Sequence, residues 1–310
     1  MSNSRPGLPG STGTQGPIAT IVEGRARDLG GFFVARLLPS KAMRNVGPVV
    51  FFDHMGPAEF PPGTGIDVRP HPHIGLATVT HLFEGGIVHR DSLGFVQPIE
   101  PGAINWMTAG RGIAHSERTG DALRKTGSRL HGLQLWVALP KAHEEAEPAF
   151  THHPAATLPV IDVDRVKLRV LAGSAYGLAS PVQTLSELFY VEARMPRGTH
   201  LALPLEPAER AAFVVSGEVE SGGERVAAPR MIVFTRGAVA TLSATTDAHV
   251  MLLGGDSLDG ERHLWWNFVS SSKDRIVEAA QAWRDGKFAK VPGDEVEFTP
   301  APDGPRFAAG

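Results

Sequence analysis

Cysteine is absent from all 310 residues. That excludes disulfide staples, thiolate metal sites and a cysteine nucleophile, and it fits a reducing, cytoplasmic compartment. Long hydrophobic runs are also missing: no apolar stretch approaches the roughly 18 residues of a membrane-spanning helix. The first residues carry neither the basic start nor the apolar stretch of a secretory signal, so no membrane role is expected. An excess of positive charge is lacking as well. The net charge is −3 and the isoelectric point about 6.5. Proteins that grip nucleic acid show a basic stripe or patch, so direct nucleic-acid contact is not expected, while a protein partner stays open.

What is present suits a folded chain of two domains. Hydrophobic residues make up 42% and charged residues 20%, close to soluble globular averages. With 35 Gly and 25 Pro the chain has many turns. Residues 1–17 are Gly, Ser, Thr and Pro with almost nothing to bury, and read as a disordered tail. From Ile18 onward, short apolar or alternating runs are separated by Gly, Pro and Asp, the pattern of a sandwich or barrel. Such runs lie at 32–38, 49–52, 77–83 and 133–139. Glu84-Gly85-Gly86 reads as a hairpin turn and Pro101-Gly102 as a second turn. Residues 141–160 are polar and Pro-rich and read as a linker with a short helical piece, in which His152 and His153 are expected to be solvated. Strand-like runs resume at 166–171, 188–193, 211–215, 230–234 and 249–253. Residues 274–285 carry Ile276, Val277, Ala280 and Trp283 at helical spacing, after a Ser run and before Gly286. The expectation is an all-β protein: one barrel over 18–140, a second over 161–310, and one C-terminal helix.

Thirteen histidines are present, and His71-Pro72-His73 is the only pair at i, i+2. Chance alone gives about 0.5 such pairs, so spacing by itself decides nothing. On a strand, i and i+2 project to one face, where two imidazoles can grip a divalent ion. His115-Ser116-Glu117 repeats the geometry after the Gly-rich stretch Thr108–Gly112. Brought opposite the first pair in a small barrel, it would complete three imidazoles and one carboxylate, a set suited to Fe(II), Mn(II), Ni(II) or Cu(II). The same residues could equally be two structural pairs. Histidines 200, 249 and 263 are isolated, so the second barrel is expected to be free of metal. His54 and His81 read as structural, His89 beside Arg90-Asp91 as solvated, and Arg111 as an ion-pair partner.

At these residues the chain resembles the pirin family of the cupin superfamily. The segments RPHPHIGLATVTHLFEGGIVHRDSLG and PGAINWMTAGRGIAHSE carry the resemblance. Leu29-Gly30-Gly31-Phe32, Val46-Gly47-Pro48, Phe52-Asp53-His54-Met55-Gly56-Pro57 and Gly132-Leu133-Gln134-Leu135-Trp136-Val137 extend it. The resemblance implies a bicupin, two double-stranded β-helix (jelly-roll) barrels face to face, with iron in the first. It places the metal ligands on His71, His73, His115 and Glu117, with manganese, nickel, copper and zinc as alternatives to Fe(II). Two positions depart from the family: Ala77 where a Glu is frequent, and Ala138 where a polar residue is common. The first puts the acid/base equipment of the pocket in question, the second its polarity. The activity implied is a dioxygenase that cleaves a small aromatic substrate, a flavonol such as quercetin, with O2 and loss of carbon monoxide. Glu117 is the expected ligand and the candidate proton acceptor. The competing reading is a metal-redox-switched interaction protein, a transcriptional co-regulator without turnover.

Overall fold

Strands carry most of the chain in the computed structural model, which describes residues 16–28 and 32–305. The expected tail therefore lies outside the described residues except for Gly16 and Pro17, and Leu29–Gly31 lie outside them too. The first barrel joins a seven-stranded sheet to a four-stranded one, and the second joins an eight-stranded sheet to another four-stranded one. The two large sheets face each other across a shared core in which Phe52 meets the edge of Phe213 at 5.1 Å.

That shared core explains the near-continuous apolar runs. Strand Leu76–Glu84 is covered on both faces, so both of its alternating sets are apolar or bonded. Ala77 and Val79 face the second barrel, while Leu76 packs inside the first. Strand Ser128–Ala138 does the same: Leu133, Leu135 and Val137 enter the shared core, and Trp136 and Ala138 face the barrel interior.

The pairing departs from the expected division in several places. Strand Ile18–Glu23 joins the second barrel by pairing with Arg230–Phe234. An open sheet edge is a liability, and Ile18 and Ile21 cover apolar residues there. Strand Ala149–His153, expected as linker, closes the edge of the first barrel's large sheet against Ile104–Thr108. Its single strong anchor is Phe150, 8% exposed, which the polar, Pro-rich context hid. Glu84–Gly86 is not a hairpin turn: strand Leu76–Glu84 belongs to the large sheet and Ile87–Asp91 to the small one, so the glycines turn a corner between sheets. A short helix, Asp121–Thr126, also escaped the sequence pattern.

The C-terminal segment crosses back to the first barrel. Hairpin His263–Trp265 with Phe268–Ser270 bridges to it through Ile74 and Phe268. Helix Lys273–Arg284, capped by the Ser272 side chain on the Arg275 N–H, buries Ile276, Ala279 and Ala280 against those two residues. Gly75, at φ +65°, allows the approach: a Cβ there would lie 2.0 Å from the Val269 carbonyl oxygen.

Candidate metal centre

The centre forms where strands Asp67–His73 and Ile113–Arg118 run antiparallel, with His115 directly opposite His71. His71 and His73 point the same way because they are two apart on a strand. Beyond His115 the register slips, so that Glu117 faces Val68. This bulge at Arg69-Pro70 re-aims the strand just before its histidines.

The three imidazoles form a triangle with ring centroids 4.4, 5.0 and 5.1 Å apart. One ligand atom from each lies within 4.8 Å of the others. Nε2 of His73 is 3.2 Å from Nε2 of His115. Their outer nitrogens are occupied: Nδ1 of His71 lies 2.9 Å from the Arg69 carbonyl, and Nδ1 of His73 lies 3.0 Å from the Asn267 carbonyl. A carbonyl only accepts, so both Nδ1 atoms carry the hydrogen and both Nε2 lone pairs are bare. Burial pushes His71 down to about 4 and holds His73 and His115 well below the ordinary imidazole value, with neighbouring imidazoles adding to the effect. At neutral pH the three rings are uncharged donors, the form a metal ion requires. The donor set therefore fits a divalent ion.

Glu117 stands apart from this trio. Its carboxylate lines the cavity beside the histidines, with Oε1 3.3 Å from Thr80 Oγ1. Thr80 Oγ1 also lies 2.7 Å from Gln134 Oε1. A hydroxyl has one hydrogen, so a protonated Glu117 satisfies the chain Glu117 to Thr80 to Gln134 from end to end. Burial raises the Glu117 carboxyl above its ordinary value, outweighing His89 and Thr80, which lower it.

Above the trio opens a cavity of about 610 Å³, within the range of small-molecule sites. One wall is a ladder of planar groups. Trp136 presents its ring to His73 at 5.1 Å, Phe51 stacks on Trp136 at 3.9 Å, and Arg36 lies 4.3 Å over Phe51. Arg36 is held there by paired hydrogen bonds to Asp53 at 2.8 and 2.9 Å. The opposite rim comes from the second half of the sequence: Leu264, Trp266 and Asn267 of the hairpin, and Thr299. Trp266 occupies the first position of the two-residue turn with φ +52°, a left-handed conformation that suits glycine and strains a bulky residue.

Residues 31–137 match the Pirin family model, and residues 190–289 match that of the Pirin C-terminal cupin domain. A pirin-like protein of Caulobacter vibrioides is 48% identical over 289 residues, covering 92% of this chain and 100% of that protein. The chain belongs to the pirin family. Pirin of Rattus norvegicus is 30% identical over 266 residues, covering 83% of this chain and 88% of its own. The crystal structure of quercetin 2,3-dioxygenase from Acinetobacter baumannii is similar with a TM-score of 0.86 at 34% identity, covering 94% of this chain and 97% of that one. The two-cupin architecture expected of a pirin is the one found.

Some residues stand elsewhere than the family comparison implied. Ala77 is fully buried in the core between the barrels and does not face the pocket, so a carboxylate missing there removes nothing from the site. Ala138 belongs to the apolar packing of the barrel interior. His89 is not solvated: it is 2% exposed and lies against His115. The i, i+2 rule that selected His71 and His73 also puts His89 and Asp91 on one face, a signal the sequence reading passed over. His152 is half-buried and bonds Asn105 at 2.7 Å. Arg111 pairs with Glu147, as expected. Among the described residues, no other trio of His, Asp or Glu brings ligand atoms this close. No helix among the described residues is long and apolar enough to cross a membrane.

Proposed function

We propose that this chain is a metal-dependent dioxygenase that opens the ring of a planar polyphenol, a flavonol such as quercetin, with Fe(II) at the histidine trio. The observation that carries the reading is three buried imidazoles whose ligand atoms lie within 4.8 Å of one another, two of them lining a largely apolar, aromatic-walled cavity. The likeness to a quercetin 2,3-dioxygenase supports it. His71, His73 and His115 would hold the ion, with Glu117 beside them at the cavity wall; when bound, the ion would supply Lewis acidity toward a substrate hydroxyl and open positions for O2. In the overall reaction both atoms of O2 enter the product, and one ring carbon leaves as carbon monoxide.

The chain's own residues do the rest. Phe51, Trp136 and Trp266 line the cavity with aromatic rings, an apolar wall that suits a planar ring system and keeps water out. Glu117, its affinity for a proton raised by burial, accepts the proton of a substrate hydroxyl at its carboxylate and shares it with Thr80.

Metal analysis of the purified protein, followed by oxygen uptake with quercetin, tests the reading. The wild type should hold about one ion per chain and consume oxygen faster than the same free ion. Glu117→Gln should lose most of the rate, and His73→Ala should lose the ion. Equal background rates in all three proteins, with the wild type fully loaded, overturn the enzyme reading and favour partner binding.

A further inference from the structure

Behind the metal centre lies a buried pair that the reading above leaves unused. Strand Ile87–Asp91 runs antiparallel to Ile113–Arg118, with Asp91 opposite His115 and His89 opposite Glu117. Asp91 is 0% exposed and His89 is 2% exposed. Phe150 stacks on the His89 ring at 4.3 Å and 10°, which fixes its plane. Asp91 Oδ1 accepts the backbone N–H groups of Leu93 at 2.9 Å and Phe95 at 3.2 Å. Asp91 Oδ2 lies 2.9 Å from Nε2 of His89, and Nδ1 of His89 lies 3.3 Å from Nδ1 of His115.

Counting hydrogens along this chain orders it. The Asp91 carboxylate only accepts, so Nε2 of His89 carries a hydrogen. In a neutral imidazole the other nitrogen is then an acceptor, so Nδ1 of His89 takes the hydrogen on Nδ1 of His115. Nε2 of His115 is left with its lone pair toward the centre. We propose that Asp91, acting through His89, sets the tautomer of His115 and thereby makes it a metal ligand. Both are positioning residues and neither touches the ion. His71 and His73 receive the same instruction from backbone carbonyls. Only for His115 does it come from side chains. The inference rests on the reading of His115 as a ligand through Nε2.

Asp91→Asn is the test. The substitution keeps the size, and its oxygen must face the N–H groups of Leu93 and Phe95, so its amide hydrogens turn toward His89. The order then inverts, and the hydrogen of His115 moves to Nε2. Long-range ¹⁵N NMR of the metal-free protein at pH 8 should show His115 hydrogen on Nδ1 in the wild type and on Nε2 in Asp91→Asn. Chelator competition should show Mn(II) or Fe(II) bound about 10–100-fold more weakly by Asp91→Asn, as for other disrupted partners of metal-bound histidines. In a His89→Phe background, which keeps the stacking and cuts the link, Asp91→Asn should weaken the metal no further. Wild-type His115 with hydrogen on Nε2, an unchanged tautomer and affinity in Asp91→Asn, or an undiminished effect in His89→Phe each overturn the inference. A wild type with the expected tautomer that binds no ion refutes the metal reading instead and leaves the hydrogen order standing.

Discussion

Replacing Trp266 with glycine separates a role in binding from a role in folding. In the wild type the indole sits at a left-handed turn position, meets Phe268 edge-on at 5.4 Å, and lines the cavity. Glycine releases strain of about 1–2 kcal/mol. Against this stand roughly 0.5–1 kcal/mol of extra chain entropy, about 0.5–1.5 kcal/mol for the lost ring contact, and about 3 kcal/mol for the roughly 130 Å² of indole turned into the fold beside Phe268. The net loss of stability is about 2–4.5 kcal/mol, which lowers the melting temperature of a chain this size by roughly 4–9 °C. Binding responds differently. One indole face covers about a third of the roughly 200 Å² that an aromatic side chain buries. At about 25 cal/mol/Å² that is about 1.5 kcal/mol, or roughly tenfold in Kd. Titration of metal-loaded protein with quercetin, followed by the absorbance of the flavonol, should show that loss for Trp266→Gly and only a small part of it for Trp266→Phe. An unchanged Kd refutes the role in binding. A fall in melting temperature beyond about 10 °C refutes the accounting and makes the indole a structural pillar.

Two further outcomes follow from the geometry. The metal-free protein should lose stability in mild acid, because His54 and His71 are both held at about 4, chiefly by burial. Their folded values lie below the unfolded 6.5, so the stability is complete above pH 6.5 and is lost as pH falls toward 4; each contributes up to about 3 kcal/mol, and a melting temperature flat from pH 7.5 to 4.5 counts against it. Gly75→Ala should cost about 3 kcal/mol or more, since its Cβ would meet the Val269 carbonyl at 2.0 Å. Differential scanning calorimetry should show a fall of roughly 6–12 °C, and wild-type melting would mean that the hairpin is not tightly seated on the first barrel.

The sequence by itself determined what depends on local spacing. Alternation and Gly/Pro punctuation located nine strands, all of them in the two large sheets, and the helix at 273–284 was visible in its spacing and its Ser cap. The i, i+2 rule put His71 and His73 on one face and paired His115 with Glu117 in the same way, and the family resemblance implied that all four are metal ligands. What it could not determine is which strands pair across long distances, because an apolar run does not name its partner. The tertiary structure decided that the first strand completes the second barrel and that the C-terminal hairpin covers the first. Hence the Asn267 carbonyl, 194 residues along the chain, orients His73, and Trp266 reaches the cavity. It also turned Ala77 away from the pocket and brought His89 into contact with His115. Each of these is a choice of face. A strand buried on both sides shows no polar alternation to reveal which face looks inward, and only the packing of the two large sheets supplies the answer.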